Sequence, residues 1–182
     1  MKQDKKKWID EGYAIFALSG ETALKIEQLA KRVGISKSSF YHHFADIDGF
    51  IEELLKVHLL NAKVMAEKER QATCIDPELI SILVTHKTDL LFNRQLRIHS
   101  SLPAYLSTLK KSNDVIGTDF VKLWLSDTKL KITLQQAEAI FTLALENFFL
   151  QINEANLNHQ WLTQYFEELK RITKQLENPI VR

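Results

Sequence analysis

The chain has 182 residues, 45% of them hydrophobic, and 24 Lys/Arg nearly balance 23 Asp/Glu to leave a net charge of +1. This length allows one ordinary domain or a small domain joined to a larger one, and no apolar run approaches the roughly 20 residues that span a bilayer. A single cysteine, Cys74, excludes an intramolecular disulfide and a multi-cysteine zinc site. The basic N-terminal segment lacks the apolar stretch of a secretory signal, so a cytoplasmic protein with no membrane partner is expected.

Apolar residues recur at spacings of three and four along the whole chain, which predicts an all-α protein without a sheet. The first helix is expected over residues 4–19, with Gly20 ending it in a left-handed conformation. Gly12 lies inside this helix and costs about 1 kcal/mol relative to alanine. Either close packing requires the missing side chain, or the position simply tolerates glycine. A second helix is predicted over residues 26–33 and ends at Gly34.

Capping residues place the next two helices. Ser36 is expected to cap a third helix over residues 37–43 with its hydroxyl, and Asp46 is expected to cap a fourth. No helix breaker follows Gly49 until about Gln71, so the fourth helix would reach roughly 30 Å and connect two lobes.

Five more helices are predicted in the C-terminal part, which makes about nine in all. Asp76-Pro77 opens one that reaches about Asn93, because proline is favoured at the first helical position. The remaining starts lie at Ser101/Pro103, after the loop at residues 112–114, at the Thr133/Gln136 capping box, and after the polar turn at residues 156–158.

Two short helices meet across Gly34-Ile35-Ser36, and this arrangement predicts a helix-turn-helix. Glycine allows the sharp turn, Ile35 fills the angle between the helices, and the second helix fits a major groove about 12 Å wide. The helical spacing turns Phe40 and Phe44 toward the core. Residues 25–43 also concentrate positive charge, with four Lys/Arg against one Glu, so a DNA-binding surface is expected here.

The segment from Gly34 to Phe44, G-I-S-K-S-S-F-Y-H-H-F, resembles the signature of the TetR family of bacterial transcription regulators. The resemblance covers about residues 5–55, where the supporting positions are Phe16, Gly20, Ile26, Ala30 and Val33, and it rests only on length and helical layout beyond them. It implies a helix-turn-helix DNA-binding domain over 1–48 and a helical effector-binding and dimerisation domain over 49–182. It also implies a homodimer that reads palindromic double-stranded DNA.

Family roles transfer to matching positions of this chain. Lys37, Ser38 and Ser39 would contact bases or phosphates, Tyr41 and His42 would bond the DNA backbone, and His43 would pack or contact phosphate. The chain departs from the family at Ile47, where many members have a lysine, and at Lys25, where a threonine often caps the second helix. The cap is lost there, but a cation is gained near the DNA.

The basic and histidine-rich segments also have plainer explanations. Adjacent helical residues point about 100° apart and no third ligand has a useful spacing, so His42-His43 is not expected to bind a metal. Lys5 to Lys7 could contact phosphate or could form an ordinary solvated helix end.

The C-terminal helices carry the candidates for an effector pocket and a dimer interface. The resemblance implies a mostly apolar cavity within about residues 76–150, whose candidate lining residues are His86, His99, Phe120, Trp124 and Asn147. An aromatic stripe at helical spacing favours core and dimer packing over a ligand site. The dimer candidates are Phe141, Leu145, Phe148, Trp161 and Tyr165.

The function expected from these features is a transcription regulator, most simply a repressor released from its operator by a small-molecule effector. The alternative is a DNA-bound adaptor that recruits a protein partner and needs no small-molecule ligand. An enzyme is not expected, because the chain lacks a Ser/His/Asp order, a paired-carboxylate spacing with a pocket signal, and a Gly-rich phosphate loop. No cofactor is indicated.

Overall fold

The computed structural model describes residues 2–116, 118–129 and 132–177, and this part of the chain is helical, without a strand. The all-α prediction is confirmed, with ten α-helices where about nine were expected. Their bounds are α1 Lys2–Ser19, α2 Ile26–Val33, α3 Lys37–Phe44, α4 Ile47–Gln71, α5 Ile80–Thr85, α6 Lys87–Ile98, α7 Pro103–Asn113, α8 Thr118–Thr128, α9 Leu134–Gln151 and α10 His159–Glu177. A 3₁₀ turn, Glu21–Ala23, follows α1, and a π-helical turn, Ile75–Leu79, precedes α5.

The prediction of one helix over residues 76–93 was wrong. Asp76 keeps an extended conformation, with φ −111° and ψ 123°, as expected for a residue that precedes proline. His86 ends α5 with φ −95° and ψ 23°, outside the helical region, and α6 begins at the next residue. The break at His86 accounts for the additional helix.

Gly20 ends α1, but not in the left-handed helical conformation predicted for it. Its φ is 73° and its ψ is −174°, because the chain leaves α1 extended before entering the 3₁₀ turn. The N–H of Gly20 still donates to the carbonyl oxygen of Phe16 at 2.8 Å. The positive φ explains why glycine is used here.

The chain divides into two compact units. The first unit comprises Met1–Ala62 and Thr88–Ser112, and the second comprises Lys63–Lys87 and Asn113–Arg182. Helix α4 contributes residues to both. The first unit thus contains α1 to α3 together with most of α6 and nearly all of α7. This division into compact units differs from the functional boundary predicted between residues 48 and 49. That functional boundary stays a prediction.

The core of the first unit is built around Phe92 of α6. Tyr13 and Phe16 of α1 stack on its ring with centroid distances of 4.3 Å each, and His58 of α4 stacks at 4.7 Å. Aromatic pairs at such distances add about 0.5–1.5 kcal/mol beyond the area that they bury. Helices α1, α4 and α6 are therefore held by one shared ring cluster.

The second unit packs α8, α9 and α10 through aromatic side chains. Phe120 lies 4.7 Å from Phe141 and 5.7 Å from Phe166 between ring centroids. Thr133 and Gln136 form the predicted capping box at the start of α9, with both reciprocal bonds present. Within the described ranges, no helix combines the length and the hydropathy of a membrane-spanning segment.

Candidate nucleic-acid interface

The turn between α2 and α3 has the predicted helix-turn-helix geometry. Gly34 adopts the left-handed conformation, with φ 69° and ψ 30°, and its N–H donates to the Ala30 carbonyl at 3.0 Å. A Cβ at this position would meet no atom within 4 Å. Backbone conformation, and not lack of space, therefore explains this glycine.

Aromatic packing fixes the inner face of α3. Phe40 and Phe44 are buried, which confirms their prediction as core residues, and Ile35 is partly buried. The Phe40 ring lies 5.3 Å from Trp8 of α1 and 5.2 Å from Phe50 of α4. Helix α3 therefore rests on α1 and α4 together.

Close packing explains Gly12 in the middle of α1. A Cβ built on Gly12 would lie 2.2 Å from Cζ of Phe50, so the ring occupies the space that an alanine would need. Because Phe50 also packs on Phe44 at 4.7 Å, the absence of a side chain at Gly12 helps to seat α3. The packing alternative for Gly12 is confirmed.

The outer face of α3 presents polar side chains to solvent. Lys37, Ser38, Tyr41 and His42 are exposed, whereas Ser39 and His43 are partly buried. Tyr41 keeps 53% of its surface exposed, although its ring packs edge-on against Phe40 at 5.7 Å. The structure thus brings all six predicted α3 residues onto one short helix beside the turn.

Ser36 precedes α3 with extended backbone, but its hydroxyl does not bond a first-turn amide. The prediction of a side-chain cap was wrong, because the Ser36 hydroxyl pairs with the Ser38 hydroxyl at 3.1 Å. The Ser36 hydroxyl consequently bonds none of the N–H groups of the first turn, although the Ser39 N–H donates to the Ser36 carbonyl at 3.0 Å. Such amides at a helix N-terminus suit a phosphate oxygen.

Lys37 is paired across the turn with Glu27 of α2. The Lys37 Nζ to Glu27 Oε1 distance is 2.7 Å, and the side chains are 52% and 74% exposed. The hydrogen bond from Lys37, followed by its charge, lowers the pKa of Glu27. An exposed pair of this kind contributes little to stability, so Lys37 can exchange Glu27 for a phosphate at small cost. Sequence reasoning missed this pair.

The other cations near this surface differ in their partners. Lys25 is exposed in the position before α2 and makes no side-chain cap there, as its sequence suggested. Arg32 pairs with Glu11 at 3.0 Å, and Lys5 pairs with Glu53 at 2.7 Å. Lys31 lines a shallow groove on the α2–α3 surface together with Glu27, Ala30, Gly34, Ile35 and Lys37. The choice between phosphate contact and solvation for Lys5 to Lys7 stays open.

The predicted effector residues lie in different parts of the structure. His99 belongs to the first unit, next to Gly20, whereas the other four belong to the second. There His86 is buried with its Nε2 3.0 Å from Lys68 Nζ, Phe120 and Trp124 are core residues, and Asn147 is exposed. A cavity of about 180 Å³ in the second unit is lined by other residues, namely Ile75, Asp76, Ile80, Thr163, Phe166, Glu167 and Lys170.

The predicted dimer residues partly serve packing between α9 and α10. Phe148 is buried, Trp161 stacks on Tyr165 at 5.3 Å, and the Tyr165 hydroxyl donates to the Ala144 carbonyl at 2.6 Å. Phe141 and Leu145 are half-buried. The large apolar side chains that α9 exposes most are Leu143 at 75% and Leu150 at 79%, two residues that sequence reasoning did not single out.

The remaining chemistry of the described part of the chain is limited. Among the described residues, no group of three or more His, Cys, Asp or Glu side chains is placed to hold a metal ion. Cys74 is a free, partly buried cysteine.

Fold and surface together define a helix-turn-helix DNA-binding protein. Residues 9–54 match the model of the family described as bacterial regulatory proteins, tetR family. Over these residues, which carry α1 to α3 and the start of α4, the chain is similar to the transcriptional regulators of this family. The family prediction made from the residues of α1 to α4 is thereby confirmed.

Named relatives match most of the chain in sequence, and a solved structure matches it in fold. The chain is 25% identical over 157 residues to IcaR, the HTH-type negative transcriptional regulator of the biofilm operon icaADBC, from Staphylococcus aureus strains Newman, COL and N315. The match covers 81% of this chain and 83% of each relative. A crystal structure assigned to the TetR family, from Rhodococcus sp., superposes over 98% of this chain and 100% of its own, with a TM-score of 0.53 and 13% identity. The last comparison concerns the fold alone.

Proposed function

We propose that the chain is a homodimeric repressor that binds a palindromic operator and is released from it by a small-molecule effector. The exposed polar face of α3, seated on α1 and α4 by Phe40, is the observation that carries the DNA-binding part. Repression is favoured because IcaR, a relative over most of its length, is a negative regulator. The proposed site of action is the cytoplasm.

In this proposal the DNA contacts come from Lys25 and the outer face of α3. Lys37 leaves Glu27 for a phosphate, Tyr41 fixes the register on the backbone, and Ser38 and Ser39 approach base edges with the first-turn amides. The further contacts are His42 and His43. Phosphate contacts supply affinity, whereas base contacts supply sequence preference.

Selection of bound sequences from random duplex DNA tests the operator. The purified protein should recover a palindrome with half-sites about one DNA turn, roughly 34 Å, apart. Recovery of only sequence-independent, salt-sensitive binding would contradict the proposal.

Two substitutions then test the assignment of contacts. Lys37→Ala should lower the slope of log Kd against log salt by about 1, and Tyr41→Ala should weaken operator binding by about 1–3 kcal/mol. Lys63→Ala removes an exposed lysine from the second unit and serves as the matched control, with Kd unchanged. Melting temperatures should change little, because Lys37 is exposed and Tyr41 keeps 53% of its surface exposed.

The proposed dimer forms through α9 and α10. Leu143 and Leu150 lie two turns apart on α9 and expose 75% and 79% of their surfaces. A second copy of the chain could cover these two apolar side chains. Sedimentation should find a dimer for the natural chain and a monomer for Leu143→Asp with Leu150→Asp. Gln135→Asp, at another exposed position of α9, should leave the dimer intact.

The proposed effector site is a cavity of the second unit. The 180 Å³ cavity between the π-helical turn and α10 is small, but its walls mix apolar side chains with Asp76, Glu167 and Lys170. An effector that binds should raise the melting temperature according to RT ln(1 + [L]/Kd) and lower operator affinity. A panel of apolar and cationic compounds that changes neither quantity would favour the adaptor alternative.

A further inference from the structure

A partly buried hydrogen-bond cluster joins three helices of the first unit at one carboxylate oxygen. The Tyr13 hydroxyl of α1 donates to Oδ1 of Asp89 at 2.7 Å, and Asn61 Nδ2 of α4 donates to the same oxygen at 2.8 Å. Asp89 lies in the first turn of α6. A single atom of α6 therefore fixes α1 and α4 relative to each other.

The protons of this cluster follow from its geometry. Because the one hydroxyl proton of Tyr13 goes to Asp89, His58 must carry its proton on Nδ1 and donate it to the Tyr13 oxygen, 2.8 Å away. Burial lowers the pKa of His58 to about 4, so the ring is neutral near pH 7. Burial and the adjacent Asp89 raise the pKa of Tyr13, which keeps the hydroxyl protonated.

The cluster is connected to the recognition helix α3 through α1 and α4, the two helices on which α3 packs. Trp8, five residues before Tyr13 on α1, packs on Phe40 of α3, and Phe50 of α4 packs on Phe40 and Phe44. The orientation of α3 is therefore set by the relative positions of α1 and α4. Asp89 bonds both of these helices.

A second hydrogen bond ties the following helix to the same region. The Tyr105 hydroxyl of α7 donates to Oε2 of Glu21 at 2.6 Å, in the 3₁₀ turn that leads into α2. The Tyr105 ring also packs edge-on against Phe16 at 5.7 Å. Helix α6 thus bonds the middle of α1, and α7 separately bonds the turn that follows α1.

We infer that Asp89 is a positioning residue for DNA recognition, which holds α1 and α4 in the arrangement that presents α3 to the base edges. Base contacts require accurate placement of α3, whereas contacts to the phosphates of arbitrary DNA tolerate a less well-defined orientation. Loss of the Asp89 acceptor should therefore reduce sequence preference more than general DNA affinity. The inference rests on the proposed operator binding.

The test compares two substitutions at Asp89 against two DNA probes. Asp89→Leu removes the acceptor, whereas Asp89→Asn keeps an acceptor oxygen of the same shape and removes the charge. The probes are the duplex selected by the natural protein and a scrambled duplex of equal length. Glu138→Leu, at an exposed carboxylate of the second unit, controls for the loss of one negative charge.

Asp89→Leu should raise the Kd for the selected duplex by about 10-fold or more, the range of a lost buried acceptor, and leave the scrambled Kd within about 2-fold. For Asp89→Asn and Glu138→Leu, the ratio of the scrambled Kd to the selected Kd should equal that of the natural protein. Circular dichroism at the assay temperature reports whether each variant is folded. An equal rise of both Kd values, or an unchanged ratio for Asp89→Leu, would overturn the inference.

Tyr13→Phe keeps the test decisive if Asp89→Leu fails to fold. This variant retains the ring stacked on Phe92 and removes only the hydroxyl. The ratio of its Kd for the scrambled duplex to its Kd for the selected duplex should therefore fall by about 3-fold or more. An unchanged ratio for Tyr13→Phe would overturn the positioning role while operator binding by the natural protein stands. Absence of any preference in the natural protein would instead overturn the proposed function, and the inference with it.

Discussion

Acidification from pH 8 to about pH 5 should reduce the free energy of unfolding by about 2 kcal/mol through one side chain, His58. His58 is buried between α1, α4 and α6, where it stacks on Phe92 at 4.7 Å and bonds the Tyr13 hydroxyl. Burial lowers its pKa to about 4 from the ordinary 6.5, and the nearby Asp89 only partly opposes this. Folding therefore keeps this imidazole neutral.

The sign of the effect follows from proton binding. In the unfolded chain the imidazole takes a proton as the pH falls through 6.5, whereas in the folded chain it does so only near pH 4. Between these values the unfolded state binds more protons, so stability is fully present above about pH 6.5 and is lost as the pH falls. Carboxylates with a lowered pKa, such as Glu53, contribute mainly below this window.

Urea denaturation at pH 8, 7, 6 and 5, at one protein concentration, measures the effect. His58→Asn provides the control, because its Nδ2 can take the place of Nδ1 as a donor to Tyr13 but does not titrate. This variant should be less stable overall, since the stacking on Phe92 is lost, but its stability should change little over the same pH range. Equal pH dependence in both proteins would refute the assignment of the effect to His58.

Three smaller perturbations test the local packing and capping. Gly12→Ala should destabilise the protein by about 1–3 kcal/mol, because its Cβ would lie 2.2 Å from Phe50; an unchanged melting temperature would show that the ring moves freely. Gly34→Ala should lower the free energy of unfolding by about 1–2 kcal/mol because of the positive φ at this position, and Gly34→Asn should lower it less. Chemical denaturation measures both losses, and a larger loss for Gly34→Asn would contradict this reasoning. Thr133→Ala should cost about 1 kcal/mol by removing the α9 capping box, whereas Thr133→Ser should cost almost nothing, and equal losses would contradict a capping role.

Features set by neighbouring residues were predictable from the sequence. The bounds of α2, its end at Gly34 and the Thr133 capping box all agree with the structure. Each depends on a backbone preference or a hydrogen bond within a few residues. The family resemblance added the candidate DNA contacts on α3, of which Lys37, Ser38, Tyr41 and His42 are exposed.

Features set by distant residues were not predictable. The Tyr13–Asp89 hydrogen bond joins residues 76 apart in the chain, and no local signal shows that the two will meet. The Lys37–Glu27 pair spans only 10 residues, but it depends on how the turn folds α3 back on α2. The prediction for Ser36 was wrong for a local reason instead, since Ser38, two residues away, offers its hydroxyl a competing partner.

The first unit also shows why residues 1–48 are an incomplete description of the DNA-reading part. Phe16 is fully buried, and two of its contacts are Phe92 of α6 and Tyr105 of α7. A segment that ended at residue 48 would expose this ring and leave Tyr13 without its Asp89 acceptor. The face of α1 that carries Trp8 packs on α3, whereas the face that carries Tyr13 and Phe16 packs on α6 and α7. The helix that seats the recognition helix is thus itself folded by residues that lie more than 60 positions further along the chain.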